Sequence, residues 1–217
     1  MAISVKHLYA ALGWILWCSL HSALISATVT DFAKEKLGSH FRFYRLFYNI
    51  LSAATLIPVV LYSRTIHEPP FFRWEGPLVV LQAALLLTSL YLFLAGGRHY
   101  SWAAFMGISQ IRAGRAGLSL AEDHAFVASG IHRIIRHPWY LAGILIVWVQ
   151  DLSALTVIVN VVIGVYFIIG SFLEERKLVR EFGDTYRAYQ QTASMLIPWR
   201  WLKAGIAMAG GRGHALF

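Results

Sequence analysis

Two pairs of side chains stand out by type and spacing. Arg136 and His137 are adjacent in the run Arg136-His137-Pro138-Trp139-Tyr140, and Glu174 and Glu175 are adjacent at the far end of the apolar stretch that follows. Arginine and histidine can hold a carboxylate. Glutamate can bind an ammonium group or ribose hydroxyls. Tyrosine and tryptophan rings stabilise a cation over their faces. Together these groups suit a zwitterionic cofactor with an α-amino acid, a ribose and a sulfonium, although the same groups could hold other ligands.

The intervening stretch must bring the pairs together. Residues 138–150 and 152–173 are almost free of charge, and Asp151 between them is turn-like, with Ser153 as a candidate helix N-cap. A tight antiparallel helical hairpin would return Glu174 and Glu175 to the end where Arg136 and His137 began. At 1.5 Å per residue the second arm rises about 33 Å and the first about 20 Å. Either His137 is recessed or the longer helix tilts. Beyond Glu175 the helix should continue, with Leu178 and Phe182 on one face. Gly183 then reads as a terminator and Asp184 as the cap of a new turn. Tyr186 and Tyr189 on that turn would fold back as a lid.

The whole chain supports a membrane setting. Of its 217 residues 58% are hydrophobic and only 14% charged, against roughly 25% charged in ordinary soluble domains. The mean hydropathy is +0.57. These values exclude a disordered chain and argue against a soluble domain. Further uncharged runs cover residues 8–30, 46–62 and 77–95, each near the roughly 20 residues a spanning helix needs. The predicted fold is all-α, a polytopic membrane protein with about five transmembrane helices, a C-terminal hairpin and a cytoplasmic lid helix. It forms one domain over 1–217, with N-terminal helices and loops in 1–125 and the cofactor-binding hairpin and lid in 126–200. A signal peptide is a weaker reading of the first run, which is long and contains Trp14, Trp17 and His21.

The net charge of +8 then becomes a topology signal. Five helices with connecting loops at 31–45 and 96–137 place sixteen of the nineteen basic residues on one side. Lys6, Arg64 and Arg73 lie on the other. The positive-inside rule puts the N-terminus out and the C-terminus in the cytoplasm, with the bacterial inner membrane as the expected location. Lys203, Arg200 and Arg212 suit anionic headgroups, and interrupted basic spacing argues against nucleic acid.

Several ordered motifs in the C-terminal third resemble the isoprenylcysteine carboxyl methyltransferase family and its phospholipid N-methyltransferase relatives. They are Arg136-His137-Pro138-x-Tyr140, the apolar hairpin, Glu174-Glu175-x-x-Leu178 and Phe182-Gly183-x-x-Tyr186-x-x-Tyr189. The resemblance implies an integral membrane enzyme that uses S-adenosyl-L-methionine without a Rossmann domain. It makes His137, Tyr140, Glu174 and Glu175 cofactor-site candidates, with Arg136 supporting the site and Tyr186 and Tyr189 closing it. Many relatives place a glycine two residues after the motif tyrosine. Here Ala142 stands there and Gly143 one later, so Gly143 joins the cofactor-binding candidates. Ala193-Ser194 replaces a Val-Pro common in relatives. In the N-terminal half, Trp17-Cys18-Ser19-Leu20-His21-Ser22 and Tyr44-Arg45-Leu46-Phe47-Tyr48-Asn49 resemble NnrU-type membrane proteins and methanethiol S-methyltransferases, which favours a thiol acceptor over a prenylated protein.

His21 is ionisable inside a span, which makes it a functional candidate, as ligand or base, beside a simple interhelical hydrogen bond. The candidate catalytic residues are therefore His21, Arg136 and Glu175. No metal site is expected. The single cysteine, Cys18, reads as packing, and His124 with Glu122 and Asp123 as a solvated loop patch. Trp74, Trp102, Trp139, Trp199 and Trp201 read as interfacial belt residues. The expected reaction is methyl transfer to a small or lipophilic acceptor (a thiol, a prenylcysteine carboxylate or a lipid amine), which enters from the bilayer between the hairpin and the N-terminal helices. A nicotinamide-dependent, sterol-reductase-like enzyme and a non-enzymatic membrane binder or transporter are the competing readings.

Overall fold

A computed structural model describes residues 3–98, 101–113 and 128–211, with side chains to 206. The patch at His124 and the basic residues Arg115 and Arg212 lie outside the described residues. The described residues form nine α-helices: α1 Val5–Ile25, α2 Ala27–Leu37, α3 Tyr44–Arg64, α4 Leu78–Gly97, α5 Trp102–Met106, α6 Ile108–Ala113, α7 Pro138–Trp148, α8 Ala154–Thr192 and α9 Trp199–Gly211. Short 3-10 turns cover Gly38–Phe43 and Gly130–Arg133. No strand occurs among the described residues, only isolated bridges. Four segments, Val5–Ile25, Ala27–Arg64, Leu78–Gly97 and Ala154–Thr192, contain helix long and apolar enough to cross a membrane. The chain is an integral membrane protein on this basis. α7 has 11 residues, about 16 Å of rise, and does not match a bilayer core of about 30 Å by itself.

Two differences from the expected elements have local causes. The first apolar run is split at Ser26, whose backbone is extended and whose Oγ caps α2 by accepting from Val29 N. The segment expected as a basic loop at 31–45 is instead helical, running through α2 and a 3-10 turn into α3. Arg45 is thereby buried rather than set at a headgroup. Its Nε donates to the Phe105 carbonyl at 3.2 Å, and its guanidinium faces the Tyr48 and Phe105 rings.

The chain forms two compact units. One comprises Met1–Val79, His99–Glu122 and Gln150–Tyr166, the other Val80–Arg98, Asp123–Val149 and Phe167–Phe217. In the first, α1 and α3 are joined by polar bonds that membrane helices need for their buried groups. Trp14 Nε1 donates to Ser63 Oγ at 3.1 Å, Trp17 Nε1 to the Ser52 carbonyl at 3.0 Å and Tyr44 Oη to the Leu24 carbonyl at 2.6 Å. Glu68 fastens the other end of this unit. One carboxylate oxygen lies 3.0 Å from His7 Nε2, and the other accepts from Leu155 N at 2.6 Å, an orphan donor of the first turn of α8. Ser153 supplies the expected cap, its Oγ accepting from Thr156 N at 3.2 Å.

In the second unit, α7 and the later part of α8 run antiparallel. A Cβ on Gly143 would lie 2.6 Å from the Phe167 ring, so only glycine admits that ring. One turn nearer the start of α7, Tyr140 lies against Gly170. At the N-cap, His137 meets Glu174. This steady register makes the hairpin. Ser89, fully buried on α4, donates to the Ala142 carbonyl at 2.9 Å, and Leu92, Ile135 and Ala142 form the core.

α8 does not run straight to Thr192. Gly183 has φ 55° and ψ −129°, a conformation that costs an L side chain strain. The reversal there returns Gln190 to Glu175 with a 2.7 Å hydrogen bond, although an unbroken helix would separate them by about 22 Å. Gly183→Ala should cost about 1–3 kcal/mol. A lowered unfolding midpoint in detergent and faster proteolysis within 184–192 would show it, and an unchanged midpoint would refute the assignment.

Candidate functional site

The site is built on an arginine held in place before any ligand arrives. The segment 134–137 pairs in parallel with 194–195. Arg136 N donates to the Ser194 carbonyl at 2.8 Å, His137 N to the Met195 carbonyl at 3.1 Å, and Ser194 N to the Ile134 carbonyl at 3.0 Å. The last bond needs an N–H at 194, which proline lacks. Ser194 Oγ also accepts from Arg200 N at 3.1 Å.

From this anchored backbone the Arg136 side chain donates through Nε to Glu175 Oε1 at 2.6 Å. Its Nη1 donates to the carbonyls of Gln190, at 3.1 Å, and Ala193. Both partners of the ion pair are about nine-tenths buried. His137 Nε2 lies 3.2 Å from the same Glu175 oxygen, and Gln190 takes the other. Both Glu175 oxygens are therefore engaged. Glu174, whose nearer oxygen lies 3.6 Å from His137 Nδ1, remains 41% exposed.

The aromatic residues divide into two groups. The Tyr140 ring stacks on His137, with centroids 5.3 Å apart and planes at 11°, and on Phe167 at 5.5 Å. Tyr186 is 1% exposed and meets Tyr189 edge to face at 5.6 Å. Tyr189 Oη donates to the His132 carbonyl, which ties the returning part of α8 to the segment before Arg136. Beside this cluster lies an open cavity of about 390 Å³, lined by Phe172, Glu175, Arg176, Val179, Arg180 and Gln190.

Burial works against a charge on His137, but the carboxylates of Glu174 and Glu175 outweigh it, and its pKa lies above the ordinary histidine value. Its two ring nitrogens face Glu174 and Glu175, so the ring holds both carboxylates in place beside Arg136.

Arg136, His137, Tyr140, Glu174, Glu175, Tyr186 and Tyr189 thus lie in one unit. Gly143 lies there too, but its open side is filled by Phe167. His21 lies in the first unit. Its Nδ1 is 3.0 Å from Ser52 Oγ, its Nε2 2.6 Å from Tyr48 Oη, and its ring stacks on Trp17 at 5.1 Å. Gln190 carries no signal in the sequence, and Ala193-Ser194 stands out there only as a departure from Val-Pro, with nothing to show that its backbone meets Arg136. Tyr48 and Ser52 were findable as an i, i+4 pair facing a buried histidine.

Comparison with known proteins finds methanethiol S-methyltransferases. Methanethiol S-methyltransferase 1 of Bradyrhizobium diazoefficiens is 42% identical over 71 residues, covering 32% of this chain and 25% of that protein. The enzyme of that name from a Pseudomonas species is 30% identical over 129 residues, 58% of this chain and 44% of the relative. That of Mycobacterium tuberculosis is 27% identical over 127 residues, 58% and 46%. The chain spans less than half the length of these relatives. No protein-family model and no solved structure matches it. The relatives bear out the resemblance to membrane methyltransferases.

Two outcomes test the electrostatics. Arg136→Gln strands a buried carboxylate and should destabilise the protein by about 3–5 kcal/mol, read from denaturant unfolding in detergent. The His137 imidazole resonance should titrate above the ordinary histidine value, and Glu175→Gln should lower its midpoint. Because the folded pKa is raised, the stability from this contact is full below the ordinary value. It is lost as pH rises through the raised one.

Proposed function

We propose that the chain is an S-adenosyl-L-methionine-dependent membrane methyltransferase whose acceptor is a small thiol. The observation that carries this reading is the buried Arg136–His137–Glu175 cluster with Glu174 open beside it, in a chain whose relatives are named for methyl transfer to methanethiol.

The donor set fits such a cofactor in kind. The neighbouring cavity is within the usual range for small-molecule sites, roughly 300–1,000 Å³. Glu174 meets His137 and Tyr140 yet is 41% exposed, so it keeps acceptor capacity for an ammonium group or ribose hydroxyls. When bound, the cofactor supplies an electrophilic methyl group for in-line displacement by the acceptor.

The chain's own residues bind, orient and exclude water. Arg136 and Glu175, catalytic candidates by type, act in this reading as positioning residues, since Nε and Nη1 of Arg136 and both oxygens of Glu175 already have partners within the protein. His137 orients Glu174 and Glu175, which face its two ring nitrogens. Tyr186 and Tyr189 seal the returning segment, and Gly143 serves by admitting Phe167 to the hairpin. His21, with Tyr48 and Ser52, is the candidate base for the acceptor proton. In this reading the site faces the cytoplasm and the N-terminus lies outside, which the excess of basic residues in the segments around the site supports.

Calorimetry should show S-adenosylhomocysteine binding that His137→Ala and Glu174→Ala each weaken at least tenfold. A labelled-methyl assay on membranes should give product with methanethiol and not with carboxylate or amine acceptors. His21→Phe should lower turnover without changing cofactor affinity. A well-folded preparation that binds no S-adenosylhomocysteine refutes the cofactor, and methylation of amines alone refutes the acceptor.

A further inference from the structure

The cavity beside Glu175 carries charge that the cluster does not use. Phe172, Arg176, Val179 and Arg180 follow one another along a single face of α8, and Gln190 closes the opposite side from the returning segment. The carboxylate in the lining belongs to Glu175. Its Oε1 is taken by Arg136 and His137 and its Oε2 by Gln190. Neither oxygen forms an ion pair with the two arginines of the wall. Among the described residues neither Arg176 nor Arg180 makes an ion pair, whereas Arg187 pairs with Asp184 at 2.8 Å and Arg136 with Glu175.

Two guanidinium groups one helical turn apart repel each other. Facing a concave surface whose one carboxylate is already paired with Arg136, they would be relieved by an anion there. Guanidinium groups bind planar or tetrahedral oxyanions through paired N–H donors. The floor between them is apolar, from Phe172 and Val179. The complementary ligand has an anionic oxygen group attached to an apolar or aromatic body.

We propose that Arg176 and Arg180 form an anion clamp at the mouth of this cavity that takes a carboxylate or phosphate group. The source is either the amino-acid carboxylate of the methyl donor, in which case the clamp rests on the reading above, or the headgroup of an anionic lipid. Arg136, the arginine of the motif, is then the strut beneath the cavity, and the ligand's charge is met by two residues outside the motif pairs.

The test uses the full-length protein in nanodiscs, comparing it with Arg176→Gln, Arg180→Gln and the double variant. Retention of the His137 titration and of a single size-exclusion peak shows that the fold is intact. With the carboxylate as source, the double variant weakens S-adenosylhomocysteine at least tenfold and flattens the salt dependence of its affinity. The decarboxylated analogue binds all forms alike. With a headgroup as source, S-adenosylhomocysteine affinity is unchanged. Spin-labelled phosphatidylglycerol associates with the wild type, and the double variant loses that association. If neither ligand responds to the double substitution, the clamp is refuted. If the wild type binds no S-adenosylhomocysteine, the methyltransferase reading fails, and the phosphatidylglycerol arm still decides the clamp.

Discussion

The contact between Arg136 and Glu175 sets the terms for the rest of the second unit. A guanidinium and a carboxylate about nine-tenths buried are stable only if nearly every polar atom has a partner. The partners come from the residue next to Arg136 and from the returning segment 190–193. His137 shares Glu175 Oε1, Gln190 takes Oε2, and the carbonyls of Gln190 and Ala193 cover Arg136 Nη1. To deliver them, α8 must stop being straight, and Gly183 is where it does so. The hairpin must also be thin, and Gly143 makes it so by leaving room for Phe167.

The same constraint redistributes chemical roles. A residue that fills all its hydrogen bonds within the protein can orient a ligand but has little left with which to grip one. Glu175, with both oxygens engaged, and Arg136, with Nε and Nη1 engaged, come close to that position. Glu174, one residue away and on a more open side of the helix, keeps capacity for a ligand, and so do the arginines of the cavity wall. Adjacent glutamates in a helix are separated by about 100° around its axis, so one can be a strut while the other faces out.

The first unit solves a parallel problem. His21, Tyr48, Ser52 and Trp17 satisfy one another within apolar helices, where no water is available to do it. Arg45 is buried by the Phe105 carbonyl and two aromatic faces. Glu68 bonds α8's first turn and His7 at once, so one carboxylate both caps a helix and ties the start of α8 to the start of α1. Pro58 remains inside α3 without ending it.

Much of this was legible from local rules. Uncharged runs of spanning length, the turn at Asp151, the cap at Ser153 and the break at Gly183 each follow from composition or backbone preference. The approach of Arg136 and His137 to the two glutamates follows from hairpin geometry. What sequence reasoning could not reach depends on contacts between distant residues of ordinary type. The basic stretch before α3 reads as a loop, yet packing makes it helix and buries Arg45. Gln190, the Ala193 carbonyl and the Ser194 N–H acquire roles only because the chain reverses. The sequence by itself determined the membrane setting and which charged pairs would meet. Only the tertiary structure decided which of them are consumed by the fold and which remain open, because hydrogen-bond capacity is finite and its partners lie far apart in the chain.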